Sequence, residues 1–193
     1  MPIRPSCSPS VATASADAVP ERAYNSASHR RISALTCFWR CRTKYLLGTG
    51  TGLAPFTSII RDAEIYERFE QVIVVHGVRT VSELGYSDYI RDELPANELI
   101  GGEMRGKLRY YPTVTREPFE NQGRITHLLE SGRLGIDLGL PMLDPEHDRV
   151  MICGSAGMLR DTTAILEARD FEGGQQSGSV ALCDRARVRR VVR

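Results

Sequence analysis

The sequence lacks any long hydrophobic run, since no apolar stretch in it approaches the roughly 20 residues that a membrane-spanning helix needs. It also lacks the apolar segment of a secretory signal, although its Arg- and Ser-rich, acid-poor start fits an organellar transit segment loosely. Its five cysteines show no framework spacing, and Cys37 and Cys41 lack a second pair at zinc spacing. An odd cysteine count without such a framework indicates a reducing compartment. We therefore expect a cytoplasmic protein with no membrane partner and no metal.

The chain also has almost no net charge, +1 over 193 residues, which argues against nucleic acid as its main partner. This total conceals three different segments. Residues 1–44 hold seven basic and two acidic side chains, residues 45–173 hold 13 and 21, and residues 174–193 hold five and one. The outer segments are Arg-rich and show no clear helix or strand periodicity. They predict irregular basic ends around an acidic domain, although 178–183 (GSVALC) could form a strand.

In the acidic middle, buried-strand and helix patterns alternate. Continuous β-branched runs such as QVIVVH (71–76) are typical of strands covered on both faces. Strands are predicted at 45–47, 71–76, 107–113 and 149–153, and helices at 53–69, 81–94, 125–134 and 156–169. We expect Pro95 to end the second helix, while Pro112 weakens the third strand. Four strand–helix repeats predict an α/β fold in three layers, with a parallel sheet of four or five strands.

A glycine-rich turn follows the first predicted strand and opens the first predicted helix. Its residues are Gly48, Thr49, Gly50, Thr51, Gly52, Leu53, Ala54 and Pro55. Glycines let the backbone pass close to a bulky anion, and the free N–H groups of a helix N-terminus point at it. Because the spacing is not G-x-G-x-x-G, the turn alone is equally typical of a tight strand-to-helix connection. At the carboxyl end of a strand in an α/β fold, it favours a nucleotide diphosphate.

Three arginines follow predicted strand ends. Arg79 comes after the second strand, and Arg116 and Arg124 come after the third. The carboxyl ends of parallel strands meet at one edge of the sheet, so we expect these side chains to converge. A guanidinium donates two parallel hydrogen bonds to a phosphate, and such a cluster suits the 2′-phosphate that distinguishes NADP from NAD. Alternatively, the three arginines form surface ion pairs with this acidic domain.

A second small-residue turn follows the fourth predicted strand, where Cys153, Gly154 and Ser155 lead into the last helix. The small thiol and its small neighbours would let a flat ring approach, although Cys153 is also typical of an ordinary core residue. No histidine–carboxylate pair lies nearby in the sequence to support nucleophilic catalysis. We interpret His76 and His127 as structural histidines.

Four segments in this order resemble the NADP-binding half of bacterial ferredoxin–NADP reductases, which belong to the plant-type flavoprotein reductase superfamily. The segments are YLLGTGTGLAPF, VVHGVR, YYPTVTREPFENQGRIT and DRVMICGSAGMLRD, between about Tyr45 and Phe171. The resemblance implies that residues 49–55 hold the pyrophosphate of NADP. The residues that it implies around the 2′-phosphate are Arg79, Thr115, Arg116 and Arg124. Those that it implies beside the nicotinamide, facing the flavin, are Cys153, Gly154, Ser155 and Met158.

In that family an FAD-binding barrel precedes the nucleotide domain and carries an R-x-Y-S element, whose arginine contacts the FAD phosphate and whose tyrosine lies against the isoalloxazine. Arg22 and Tyr24 give a near match, with Asn25 in place of the serine. The preceding 44 residues are too few for such a barrel, since a typical domain has on the order of 100 residues. The resemblance therefore implies a remnant of the FAD domain at most in 1–44, an NADP-binding domain at 45–173 and an irregular tail at 174–193.

The resemblance implies a ferredoxin- or flavodoxin–NADP(+) reductase acting as a monomer. It would pass hydride between NADPH and FAD and exchange single electrons with ferredoxin or flavodoxin. The alternative is a catalytically inactive NADP(H)-binding fragment that lacks the flavin domain. A third interpretation assigns the basic ends to nucleic acid or an acidic partner, but no aromatic platform or motif favours it.

Overall fold

The computed structural model describes residues 41–177 and 180–185, in which one sheet carries all the strands. The strands are β1 (Cys41–Thr49), β2 (Phe69–Val78), β3 (Leu108–Val114), β4 (Asp148–Cys153), β5 (Phe171–Ser177) and β6 (Val180–Arg185). The helices are α1 (Ala54–Ile60), α2 (Ala63–Arg68), α3 (Ile125–Glu130), α4 (Arg133–Leu138) and α5 (Ala156–Glu167). Shorter helical turns lie at Gly50–Leu53, Val81–Glu83, Tyr89–Glu93, Leu94–Ala96 and Gly101–Met104.

The strand order across the sheet is β3-β2-β1-β4-β6-β5. The four strands β1 to β4 are mutually parallel, which confirms the predicted α/β fold. The strand β6, which the prediction of four or five parallel strands did not place, runs antiparallel to both β4 and β5 and so differs from these four. The short connection between β5 and β6 explains the difference, since parallel strands would need a crossover of a dozen or more residues.

Helices cover both faces of the sheet and create two apolar cores. Successive residues of a strand point to opposite faces, and along β1 Tyr45 and Leu47 pack with α3, α4 and α5, whereas Leu46 packs with α1 and α2. All three side chains are almost fully buried. The three-layer arrangement is therefore confirmed, and it explains why the central strands read as continuous apolar runs.

The sheet also extends beyond the segment for which the sequence predicted order. The prediction placed an irregular tail from residue 174, whereas β5 continues to Ser177 and β6 covers Val180–Arg185. The suggested strand at 178–183 thus overlaps β6, whose backbone pairs with that of β4. Pairing at the open side of β4 supplies the long-range hydrogen bonds that no local periodicity reveals. The expected remnant of an FAD domain at 1–44 lies almost wholly outside the described residues.

Two predicted helices are each divided in two. The helix predicted at 53–69 breaks at Asp62, whose carboxylate accepts a hydrogen bond from the Glu64 backbone N–H at 3.0 Å and begins α2. The helix predicted at 125–134 breaks at Gly132, between α3 and α4. Local caps therefore override an apolar spacing that could have continued one helix.

The sequence predicted that Pro95 would end a helix and that Pro112 would weaken a strand, and the structure shows how each proline is accommodated. Pro95 lies in the short segment Leu94–Ala96, which follows Tyr89–Glu93 without a break, so the helical run ends one residue after Pro95. The predicted helix at 81–94 is divided into the turn Val81–Glu83 and this later helical run. Pro112 is tolerated inside β3, since β3 lies at an end of the described sheet and pairs on one side only with β2.

Candidate functional site

A cleft of about 1120 Å³ opens at the carboxyl ends of the parallel strands. The chain leaves β1 toward β2 and β3, then returns to the other side of β1 to form β4. Such a reversal of strand order separates the loops that follow β1 and β4 and leaves a crevice between them. The cleft therefore lies where an open α/β sheet provides a ligand-binding position.

Two glycines bring the turns after β1 and β4 into contact. A Cβ added to Gly52 would stand 2.5 Å from the carbonyl oxygen of Cys153 and 2.8 Å from its carbonyl carbon. A Cβ added to Gly154 would collide with the side-chain hydroxyl of Thr49. Glycine at both positions permits this approach, so the floor of the cleft consists of backbone from both turns and the hydroxyl of Thr49.

The loops after β2 and β3 are joined beyond the ends of the two strands. The backbone N–H of Thr115 donates to the carbonyl of Val78 at 3.1 Å, and that of Arg116 donates to the carbonyl of Arg79 at 2.9 Å. The chain then folds back, and the N–H of Gly123 donates to the carbonyl of Val114 at 3.1 Å, which brings Arg124 to the same edge. The predicted convergence of the three arginines is therefore present in the structure, where all three line the cleft.

The side chains of these arginines are available to a ligand. Arg79, Arg116 and Arg124 are exposed, and none forms an ion pair with any residue in 41–177 or 180–185. The alternative in which they serve the surface ion pairs of an acidic domain thus finds no support in the described part of the chain. Three guanidinium groups without an ion pair among the described residues concentrate positive charge in one cleft, while Glu83 and Asp161 also line it.

Beside the glycine turn lies a fully buried histidine. His76 Nδ1 is 2.9 Å from the Tyr110 hydroxyl, whereas Nε2 has no hydrogen-bond partner among the described residues. Burial lowers the pKa of His76 to about 4, and the nearby backbone of Gly50, outside hydrogen-bonding geometry, opposes the shift only in part. His76 is therefore a neutral residue buried beneath the glycine turn, and the structural interpretation from the sequence agrees with its burial.

The turn after β4 presents backbone and small side chains rather than a nucleophile. Cys153 is only 3% exposed and belongs to the core on the α1 side, and burial raises the pKa of its thiol. The Ser155 hydroxyl accepts a hydrogen bond from the Met158 backbone N–H at 3.3 Å, so it caps α5. A protonated buried thiol and a capping hydroxyl suit the positioning of a ligand, not covalent attack.

The structure brings most of the predicted site residues to this cleft. Those that line it are Thr49, Gly50, Thr51, Gly52, Ala54, Pro55, Arg79, Thr115, Arg116, Arg124, Cys153, Gly154, Ser155 and Met158. Leu53 is the exception in the turn, because its fully buried side chain packs against Phe56 and the rest of the α1 core. Arg22 and Tyr24, implied for FAD, lie outside the described residues.

Sequence reasoning missed two kinds of residue at the cleft. Glu83 and Asp161 carry no signal, because acidic residues are common throughout the domain. Gly77 lies within the quoted VVHGVR segment, and a Cβ there would come within 3.1 Å of Ile125. Its position between β1 and α3 could have been suspected from a glycine inside a strand pattern.

A doubly wound sheet with a glycine-floored cleft at its strand-order reversal defines the class of α/β nucleotide-binding domains. Within that class, the family model described as "Oxidoreductase NAD-binding domain" matches residues 46–164. The match covers well over half of the chain, which therefore belongs to the oxidoreductase NAD-binding domain family.

Comparison with curated proteins confirms the resemblance to bacterial reductases. The chain is 61% identical over 133 residues to ferredoxin–NADP reductase A of Sorangium cellulosum, covering 69% of this chain and 48% of that protein. It is 59% identical over 124 residues to the ferredoxin–NADP reductase of Pseudomonas aeruginosa, covering 64% and 48%. The chain thus spans about half the length of the curated relatives that it matches.

A solved structure supports the same relationship. The ferredoxin NADP+ reductase from Neisseria gonorrhoeae, determined with bound FAD and NADP, superposes with a TM-score of 0.60 at 29% sequence identity. The match covers 74% of this chain and 54% of that one.

In the described part of the chain, no helix combines the length and apolar character that a bilayer crossing requires.

Proposed function

We propose that this chain acts as a ferredoxin/flavodoxin–NADP(+) reductase, which transfers hydride between NADPH and FAD and exchanges electrons with a ferredoxin or flavodoxin. The observation that carries the nucleotide part is the set of three exposed arginines at the strand-order reversal, which form no ion pair within the described part of the chain. Relatives at 55–61% identity named as ferredoxin–NADP reductases support the reaction class. We further propose a cytoplasmic monomer, as the sequence predicts.

Three groups of residues in the cleft would each suit one part of NADP. The turn from Thr49 to Pro55 would hold the pyrophosphate on its backbone N–H groups, because it lines the cleft and the space beside Gly50 is open. Arg79, Arg116 and Arg124 would bind the 2′-phosphate, which carries a charge of about −1.5 to −2 near neutral pH. Opposite charges in a half-enclosed cleft attract more strongly than they would in bulk water.

The third group would orient the reacting ring. Cys153, Gly154, Ser155 and Met158 present small or flexible side chains, so a flat nicotinamide could lie against their backbone. Bound FAD would supply the hydride and single-electron chemistry, while this domain positions the nicotinamide and excludes water beside it. The thiol of Cys153, buried and with a raised pKa, contributes packing and no proton.

The competing proposal is an NADP(H)-binding fragment without catalysis. Only the assignments of Arg22 and Tyr24 bear on FAD, and both residues lie outside the described part of the chain. The two proposals share the nucleotide site, so the nucleotide experiment below tests both. The flavin experiment that separates them belongs to the whole molecule.

Replacing one arginine tests the assignment of the cleft to NADP. Arg116→Ala should weaken NADPH binding about 10- to 100-fold, since a hydrogen bond to a charged group contributes about 1.5–3 kcal/mol. NADH lacks the 2′-phosphate, so its affinity should change by no more than about threefold. Isothermal titration with both nucleotides measures the two dissociation constants.

Arg105→Ala is the matched control, because it removes the same charge from an exposed residue outside the cleft. It should leave the preference for NADPH over NADH intact. Equal losses for the two nucleotides in Arg116→Ala would show that the arginines do not recognise the 2′-phosphate. No binding of either nucleotide to the unaltered chain would remove the proposal altogether.

A further inference from the structure

The two arginine-bearing loops are attached to each other by a carboxylate from one of them. The Glu117 side chain accepts a hydrogen bond from the backbone N–H of Val81, across 36 positions of sequence. This contact continues the backbone bonds that already join Thr115 to Val78 and Arg116 to Arg79. At the end of the β2–β3 pair, the two segments are therefore joined by two main-chain bonds and by the side chains of Thr115 and Glu117.

The loop held by Glu117 has little other support. Residues 79–83 are mostly exposed, and their turn Val81–Glu83 contributes no buried side chain to either core. A second carboxylate, Glu83, accepts from the Arg79 backbone N–H at 2.9 Å, but this contact lies within the same loop. The Thr115 hydroxyl also donates to the carbonyl of Val78 at 3.2 Å, but this bond joins the chain before Arg79. Glu117 is thus the side chain that reaches past Arg79 and holds the far side of its loop to the loop of Arg116.

The position of this carboxylate is electrostatically unfavourable for a phosphate site. A negative charge next to arginines that would bind a phosphate reduces their attraction for it. Glu117 itself does not line the cleft, so it makes no ligand contact that would explain the charge. What it does provide is an acceptor for a backbone donor on the neighbouring loop.

We propose that Glu117 is a positioning residue that fixes Arg79 relative to Arg116 and thereby sets the preference for a 2′-phosphorylated nucleotide. This inference rests on the proposed binding of NADP in the cleft. Two guanidinium groups bind one phosphate together only when their loops keep a fixed separation, because each loop that must be ordered on binding costs conformational entropy. The hydrogen bond from the Val81 N–H to Glu117, called the clamp below, holds the loop of Arg79 in place before the nucleotide binds.

The alternative role for the same carboxylate is that of a placeholder. In that case Glu117 would occupy the Val81 N–H only until a ligand phosphate displaced it. The two roles predict opposite effects of removing the side chain: loss of a clamp weakens NADPH binding, whereas loss of a competitor strengthens it.

Two substitutions separate hydrogen bonding from charge. Glu117→Gln keeps an acceptor for the Val81 N–H and removes the charge, so NADPH affinity should stay at the wild-type value or become slightly tighter. Glu117→Ala removes both and should weaken NADPH binding about three- to tenfold, since a net hydrogen bond contributes about that factor. NADH affinity should stay within about twofold in both variants. Isothermal titration of each folded variant gives the NADPH-to-NADH ratio.

Amide hydrogen exchange in the nucleotide-free chain tests the clamp independently of any ligand. The Val81 amide should exchange faster in Glu117→Ala and at the wild-type rate in Glu117→Gln. Glu120→Gln is the control, because it removes a charge from the same loop while Glu120 contacts Arg91 instead of the Arg79 loop. It should change neither Val81 exchange nor the nucleotide ratio.

Three outcomes would overturn the inference. Equal losses of NADPH affinity in the Gln and Ala variants would assign the effect to charge. Tighter NADPH binding in the Ala variant would identify a placeholder. Unchanged exchange of the Val81 amide in the Ala variant would show that no clamp exists. Failure of the proposed function looks different. If the wild-type chain does not prefer NADPH over NADH, the assignment of the cleft to NADP is wrong. The exchange data would still report on the contact between the two loops.

Discussion

At the scale of single residues, the most unusual side chain is His76, which is buried beside the glycine turn in its neutral form. Its folded-state pKa of about 4 lies below the value of about 6.5 expected in the unfolded chain. Between these two values the unfolded state binds the proton and the folded state does not. The free energy of unfolding therefore falls as the pH drops below about 6.5, and the His76 contribution levels off below about 4.

We expect this effect to lower the free energy of unfolding by about 2 kcal/mol between pH 7.5 and pH 5. Urea unfolding at the two pH values measures it. His76→Gln should remove that part of the pH dependence, whatever its effect on absolute stability, because glutamine does not titrate. His127→Gln, which changes an exposed histidine, should keep the wild-type slope. The same slope in wild type and His76→Gln would mean that the buried ring does not resist protonation.

At the scale of elements, the site depends on how closely the turn after β1 approaches the turn after β4. Gly52→Ala should destabilise the protein by about 1–3 kcal/mol, because the new Cβ would meet backbone atoms of Cys153 that no side-chain rotation can move. It should also weaken NADPH binding by separating the two turns. Thermal unfolding and isothermal titration measure the two effects.

Gly102→Ala provides the comparison for that change. Gly102 lies in the short helix Gly101–Met104, and a Cβ there would meet no atom within 4 Å. This variant should be as stable as wild type or slightly more stable, because alanine is the better helix former. If Gly52→Ala behaved like Gly102→Ala, the two turns would not be in the close contact on which the floor of the cleft depends.

Strand positions could be predicted from the sequence because the cores select apolar side chains on both faces. The run Val72–Val75 is completely buried, and its β-branched residues indicated a strand correctly. The beginning of β1 was missed because Thr43 and Lys44 are polar, although both are buried between β2 and β4. A polar residue in a central strand is held there by neighbouring strands, which local sequence does not show.

In the candidate site, too, some positions could be predicted from the sequence, whereas contacts between distant residues could not. The positions of Arg79, Arg116 and Arg124 followed from the rule that the carboxyl ends of parallel strands share an edge. The bond from the Val81 N–H to Glu117 could not be predicted, since it joins residues 36 positions apart through a loop conformation. Helix breaks such as the one at Asp62 belong to the same group, because a single cap decided them.

At the scale of the whole molecule, the sheet is asymmetric. Four parallel strands build the cleft, while the hairpin of β5 and β6 closes the side of β4 by antiparallel pairing. The sequence predicted the first part through repeated strand–helix units and left the second part irregular. Short, weakly apolar strands at a sheet edge gain their stability from pairing, so composition alone underestimates them.

Whether the whole chain is a reductase or a nucleotide-binding fragment depends on its retention of a flavin. We expect the purified chain, mixed with FAD and passed through a desalting column, to keep visible flavin absorption that NADPH bleaches under anaerobic conditions. The expectation follows from the proposed function, in which hydride would pass from the nicotinamide to a flavin that would lie beside Cys153 and Gly154. Arg116→Ala should bleach at higher NADPH concentrations but to the same extent, which ties the signal to the cleft. NADPH binding without retained flavin would assign this chain to nucleotide binding alone and would exclude a reductase that works without a separate flavin protein.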